Sequence, residues 1–276
     1  MSSSSLSASN KKIVKLFNLI TKSVSLLENW PSFIINFLWV RLAKRPLYVN
    51  EPLKLKNGLS FSVHPKSIAL YDVFADIFQF SIYDGHPSFE IGVEDIIIDI
   101  GANVGFFAAK SAQSASKGKV YAFEPCSFHF DLLNDNLTKN HIENVCTFKQ
   151  AIWGKQKQLE LFYSFDVEPD NTSLYKVGGT EKEIVEAVTL ENVFQRENIK
   201  VCDLLKIDCE GAEYEILYKT PDYLFHAIRK IAMEWHRFDE THDPEKLAQF
   251  LSSKGFILIK PKDWSGKTGY LYAYRQ

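Results

Sequence analysis

The sequence predicts an α/β fold of the Rossmann-like type: a mostly parallel seven-stranded sheet with helices on both faces and an antiparallel hairpin at one edge. Three observations predict it. Ile96-Ile97-Ile98-Asp99-Ile100 is a nearly continuous β-branched run, as expected of a strand buried on both faces. After Gly92, strand-like runs alternate with segments of helical period, the pattern of strand–helix–strand crossovers in a parallel sheet. The last two strand-like runs, Phe256–Lys260 and Tyr270–Tyr274, are joined by a short polar loop, which suits an antiparallel edge hairpin.

Taken in order, residues 1–10 form a Ser-rich, polar start that reads as disordered. Residues 11–90 read as a helical and hairpin extension. Within them 11–28 carry apolar residues at helical spacing, Pro31 and Pro46 punctuate the chain, and 47–64 read as strands around the turn Lys56-Asn57-Gly58. Residues 67–82 read as a helix. The α/β domain occupies 91–276. Its first strand, 96–100, is followed by a helix at 104–115, a strand at 119–123 and a helix at 127–140. Val145–Ile152 reads as a third strand, Leu204–Ile207 as a fourth with a helix at 211–219, and Ile228–Trp235 as a fifth with a helix at 244–253. Residues 154–200 interrupt the alternation. This insertion contains two strand-like runs, Leu159–Phe165 and Ile184–Val188, and is expected above the carboxyl edge of the sheet, where ligands bind in such folds.

Composition narrows the function classes. The 276 residues suffice for a full core, and 46% hydrophobic with 24% charged residues is ordinary for a globular protein. A net charge of −2 gives no global basic field for nucleic acid. The charge is uneven, however: residues 1–56 carry about +7 by charge counting and the remainder about −9. The apolar run Phe33–Val40 is too short to span a bilayer and precedes Arg41, Lys44 and Arg45. Two readings of residues 11–45 stay open: peripheral contact with an anionic membrane, or a helix packed on the domain with its basic face in water. No secretory signal is evident. The four cysteines, Cys126, Cys146, Cys202 and Cys209, form no CxxC or metal-type spacing, and reduced thiols in a cytoplasmic protein are expected.

The chemistry is carried first by Asp99-Ile100-Gly101-Ala102-Asn103-Val104-Gly105, directly after the buried strand and opening a helix. Gly101 allows a tight turn and close backbone approach to a ligand. The spacing is neither the G-x-G-x-x-G of a dinucleotide site nor a P-loop. An acid at the strand end suits the ammonium of an amino-acid ligand and would sit badly beside a pyrophosphate. Glu124 closes the second strand, where a carboxylate can accept both ribose hydroxyls, and it follows Gly105 by about 20 residues, as that role requires. Together the two motifs point to an adenosine-containing ligand whose other end is an amino acid, and S-adenosylmethionine fits both.

With DIGANVG at 99–105, Phe123-Glu124-Pro125, and the run Asp203–Glu213 (DLLKIDCEGAE), the sequence resembles the FkbM-type methyltransferases. Thr172-Ser173-Leu174, Val188-Thr189-Leu190 and Glu234-Trp235-His236 match as well, and the resemblance covers roughly residues 50–260, departing at Trp153-Gly154. It implies a Rossmann-like class I methyltransferase fold and an O-methyltransferase acting on hydroxyls of sugars, polyketides and related compounds. The cofactor set expected is Asp99, Gly101, Asn103, Gly105, Glu124, Pro125, Ala151 and Asp208.

Catalysis is expected from His236, Asp208 and Glu210. Asp208 ends a strand central to the sheet and should face the cleft. Strand alternation puts Glu234 and His236 on one face and Trp235 on the other, so His236 is a candidate general base near the acceptor; a polar strand-end histidine without a chemical role is the plainer reading. Glu213 reads equally as an acid placed favourably against a helix dipole. Asn171, Ser173 and Glu234 are the candidate acceptor contacts, for a small-molecule or glycan acceptor. No metal ligand set is assigned, because acids alone do not establish one. His129 and His141 read as helix-surface residues. The rival readings are a nicotinamide dehydrogenase, disfavoured by the glycine spacing, a methyltransferase acting on a nitrogen acceptor, and a non-catalytic protein that binds an adenosine cofactor.

Overall fold

The computed structural model describes residues 19–43, 51–63, 70–163, 181–259 and 264–275. The chain divides into two compact units between Ser81 and Ile82, ahead of the boundary that the sequence suggests at 91.

In the first unit a helix at 19–26 (α1) precedes α2 (Trp30–Ala43). A two-residue antiparallel hairpin follows, β1 (Leu53–Lys54) and β2 (Ser60–Phe61), then α3 (Leu70–Phe74), which continues as a π-helical stretch over Ala75–Phe80. The core of this unit is aromatic: the Phe33 ring lies 5.5 Å from both Tyr71 and Phe74. The apolar run of α2 has two faces, for Phe33 and Phe37 are buried while Ile35 is 60% and Trp39 48% exposed. Among the described residues no helix is long and apolar enough to cross a membrane. Residues 1–18, 44 and 45, which carry part of the basic segment, lie outside the described residues.

The second unit opens on a 3₁₀ turn at Pro87–Phe89 and then builds the sheet. Its elements run β3 (Ile96–Ile100), α4 (Phe106–Ser114), β4 (Lys119–Phe123), α5 (Ser127–Lys139), β5 (Val145–Phe148), β6 (Ala151–Ile152), β7 (Lys157–Tyr163), β8 (Glu181–Val188), α6 (Leu190–Arg196), β9 (Leu204–Ile207), α7 (Glu213–Lys219), α8 (Asp222–Phe225), β10 (Lys230–His236), α9 (Pro244–Ser253), β11 (Ile257–Ile259) and β12 (Thr268–Tyr274). Seven of the strands form one sheet in the order β11-β12-β10-β9-β3-β4-β5. β3, β4, β5, β9 and β10 pair in parallel, whereas β12 is antiparallel to both β10 and β11. This is the Rossmann-like α/β architecture that the sequence predicts, with the expected antiparallel edge hairpin.

The β-branched run of β3 is buried as its composition demands, with Ile97, Ile98, Asp99 and Ile100 all at 2% exposure or less. α6 begins on a capping box in which Thr189 and Asn192 satisfy each other's backbone amides, and α9 begins on Asp243, whose carboxylate accepts from the Glu245 and Lys246 amides.

Two expectations change. The run Val145–Ile152 is not one strand: β5 stays in the large sheet, while β6 pairs with β8, and β8 with β7, in a separate three-stranded sheet. The polar pair Lys149-Gln150 sits at the break. The insertion is therefore shorter than 154–200, because α6 at its end is a regular crossover helix packed in the main core through Leu190, Val193 and Phe194. The small sheet packs on Cys126 through Ala151, Leu161, Val185 and Ala187, which puts it beside the carboxyl end of β4. Residues 164–180, including the acceptor candidates Asn171 and Ser173, lie outside the described residues.

Candidate active site

The strand order reverses between β3 and β9, since β4 and β5 lie to one side and β10 and β12 to the other. Ligands of open α/β sheets bind at such a switch point, outside the carboxyl ends of the strands. Asp99, Asp208 and the turn 101–105 all stand there.

The turn is shaped by close approach. Gly101 has φ 76°, and a Cβ on it would lie 1.7 Å from the Asp208 carbonyl oxygen, so no other residue fits. The Gly101 and Ala102 amides donate to the Phe123 carbonyl, which ties the turn to the end of β4. Gly105, at φ 89°, precedes the first residue of α4.

Glu124 is buried and held from both sides. Its Oε2 accepts from the Asn103 amide at 2.8 Å and its Oε1 from the Cys126 amide at 2.9 Å. Each oxygen keeps a further lone pair for another donor. Burial raises its pKa to about 7, against the pull of those two amides and of Lys206. His129, read from the sequence as a surface residue, is instead 4% exposed, with Nδ1 3.9 Å from Glu124. His141 is exposed, in a turn beyond α5 rather than on a helix. Pro125 is half-buried beside Glu124, and Ala151 begins β6.

Asp99 departs from its expected role. It is completely buried, and its Oδ1 lies 3.0 Å from the ammonium of Lys206, its register partner on β9. A ligand ammonium has no direct access to it. Lys206, 2% exposed, also donates to the Gly101 carbonyl at 2.6 Å and sits 3.9 Å from Asp208. Burial disfavours the lysine charge, but Asp99 and Asp208 outweigh it and the pKa stays raised. Asp99 thus fixes Lys206, and Lys206 fixes the turn. Tyr83 donates its hydroxyl to Asp208 Oδ2 at 2.8 Å.

On the other side of the switch point β10 brings His236 and Glu234 to the loop after β9. Glu213, wholly buried, organises this corner. Its Oε1 accepts from the His236 amide at 2.6 Å and lies 3.2 Å from Nδ1, and its Oε2 accepts from the Gly211 amide. With Nδ1 so engaged, Nε2 faces Glu210, whose Oε2 is 3.5 Å away. One donor atom each of Asp208, Glu234 and His236 lie within 4.8 Å of one another. Burial disfavours the imidazolium, yet Glu213, Glu210 and Asp208 together raise the His236 pKa to about 10. Burial and the neighbouring Asp208 raise Glu234 to about 8, against the pull of His236. The surrounding carboxylates thus favour the cationic form of the histidine, against the cost of burial.

The sequence thus brings Asp208, Glu210, Glu234 and His236 to one place, and sets Glu124 against the glycine turn. It does not reveal Lys206, Tyr83 or the task of Glu213. A lysine inside the apolar run Leu204–Ile207 signals a buried ion pair; nothing in the sequence marks Tyr83.

The family model for the methyltransferase FkbM domain matches residues 99–258, from the end of β3 into β11. The chain belongs to this family. Like the FkbM methyltransferases it matches, it is a methyltransferase. Among curated relatives, the methyltransferase sdnD of Sordaria araneosa is 25% identical over 227 residues, covering 70% of this chain and 85% of that protein. The 31-O-demethyl-FK506 methyltransferase FkbM of Streptomyces tacrolimicus is 24% identical over 243 residues, covering 78% and 92%. Among solved structures, the methyltransferase FkbM of Methylobacillus flagellatus KT aligns at a TM-score of 0.47 and 15% identity, over 77% of this chain and 56% of that one.

Proposed function

We propose that the chain is an S-adenosylmethionine-dependent O-methyltransferase acting on a hydroxyl of a sugar, glycan, lipid or polyketide-like acceptor. The observation that carries the reading is Glu124: a buried carboxylate, immobilised by two backbone amides beside a glycine turn, with lone pairs to spare for a pair of vicinal hydroxyls. The Streptomyces relative, a 31-O-demethyl-FK506 methyltransferase, supports oxygen as the accepting atom.

The cofactor, when bound, supplies an activated methyl group, so the protein's work is mainly approach geometry. Glu124 orients the ribose. The turn Gly101–Gly105, with Asn103 and the half-buried Pro125, lets backbone come close, and Ala151 borders the same edge. Asp99 acts through Lys206 to hold the turn. Asp208, Glu210 and Glu234 surround the place for the acceptor hydroxyl, and its proton passes to one of these carboxylates while the His236 imidazolium offsets their charge. Asn171 and Ser173 remain candidate acceptor contacts. Glu234→Gln tests the acceptor side: turnover on the acceptor should fall while cofactor affinity holds. A fall in cofactor affinity alone would move Glu234 to the cofactor side.

A further inference from the structure

We propose that Asp208, Glu234 and His236 form a binding site for one divalent transition-metal cation of the Mn²⁺ to Zn²⁺ type. The proposal deepens the methyltransferase reading in what the cation does to the acceptor; the site itself rests on geometry.

Three observations carry it. First, the donors converge. Asp208 follows β9 and Glu234 and His236 lie on β10, strands paired in parallel with Ile207 opposite Met233. The three donor atoms lie within 4.8 Å of one another. Ligands about 2.0–2.2 Å from a cation stand roughly 3–4.4 Å apart, so small side-chain rotations close the set.

Second, the histidine is prepared as a ligand. A metal-bound imidazole nearly always donates its other ring N–H to a carboxylate, a backbone carbonyl or water, which fixes ring and tautomer. Glu213, wholly buried, is that acceptor at Nδ1 and also holds the backbone amide of His236. His236 itself is 4% exposed and turns Nε2 toward the carboxylate cluster, where a bound cation would take the place of the Nε2 proton, released to solvent. An acid placed merely for the helix dipole would not be buried to completion with both oxygens engaged by this corner.

Third, the charge is unbalanced. Asp208, Glu210 and Glu234 crowd around one imidazole, and the ammonium of Lys206 lies nearer to Asp99, at 3.0 Å, than to Asp208, at 3.9 Å. One imidazole with carboxylates suits Mn²⁺, Fe²⁺, Co²⁺ or Zn²⁺ better than Mg²⁺ or Ca²⁺, which favour oxygen throughout. A hydroxyl bound to such a cation loses its proton more readily, and Glu210 stands beside that position to take it.

The test is calorimetric titration of the chelator-stripped full chain with MnCl₂, with pulsed EPR of the bound Mn²⁺. The proposal expects one saturable site per chain and nitrogen coupling from one imidazole. Affinity should fall by about 10–100-fold in Glu213→Gln, the scale of losing a partner to a ligating histidine, and binding should disappear in His236→Ala. No saturable binding, Mn²⁺ without nitrogen coupling, or equal affinity in folded variants would each overturn it. The nitrogen coupling is read on the unaltered protein and does not depend on any variant folding. S-adenosylmethionine titrated into the same metal-free protein reads the methyltransferase assignment separately. Cofactor binding without Mn²⁺ binding sinks the cation alone, and Mn²⁺ binding without cofactor binding sinks the methyltransferase reading alone.

Discussion

Glu124 gives the sharpest handle on the cofactor side. Losing hydrogen bonds to a charged carboxylate costs on the order of 1.5–3 kcal/mol, so Glu124→Ala should weaken S-adenosylmethionine binding by roughly 10- to 150-fold. The pH dependence is more diagnostic still. Burial raises this carboxyl to about 7 in the free protein. The groups facing it are Asp99, which raises it further, Lys206, which lowers it, and Cys126 and His129. Because the hydroxyls need an ionised acceptor, affinity should level off above pH 7 and drop about tenfold for each pH unit below it. The same raised pKa has a consequence for the unliganded fold: its contribution to stability is present below pH 4.5 and lost as pH rises through about 7. Glu124→Gln, which does not titrate, should flatten both profiles. Calorimetry between pH 5.5 and 8.5 on both proteins decides the matter. An unchanged affinity in a folded Glu124→Ala protein, or the same pH slope in the Gln variant, refutes the ribose contact.

Three further outcomes follow from the other side of the cleft and from the first unit. The His236 pKa is raised from 6.5 to about 10, so its share of stability is whole below pH 6.5 and lost as pH climbs through about 10. Glu213→Gln should cost on the order of 3–5 kcal/mol at low pH, as expected for breaking a buried pair, and should shed this slope in urea unfolding; parallel slopes would dismiss the pairing. His236→Ala removes the group that offsets the acceptor-side carboxylates and should lower turnover with cofactor affinity little changed, and near-normal turnover would leave the residue a structural role. If residues 11–45 meet a membrane through the exposed Ile35 and Trp39, vesicle binding should require anionic lipid and weaken with salt, and salt-insensitive binding would contradict it.

The sheet was legible because its signals are local. The β-branched β3, the edge hairpin and the helix Pro244–Ser253 all follow from period, caps and turns within a few residues. What escaped depends on register between distant strands. Asp99 looks like a ligand contact until β9 sets Lys206 opposite it. His129 sits in a polar-looking helix, yet the first turn of α5 lies beside the buried Glu124. Val145–Ile152 reads as one strand because nothing nearby announces that β8 will capture its second half. In the site, alternation correctly puts Glu234 and His236 on one face, and the unusual run Asp208–Glu213 marks the acids. It does not show that Glu213 turns inward to grip the histidine, which is a property of packing rather than of spacing.

The switch point at the carboxyl ends of β3 and β9, beside Glu124, is where S-adenosylmethionine should sit. The most direct measurement is a thermal shift of the full chain with S-adenosylmethionine, its demethylated product S-adenosylhomocysteine, and NAD at equal concentration. A ligand that binds only the native state raises the melting temperature, by about 2.7 kcal/mol of added stability at one hundred times its Kd. The melting temperature should rise with both S-adenosyl compounds and stay unchanged with NAD. A rise with NAD and none with the S-adenosyl compounds would contradict it.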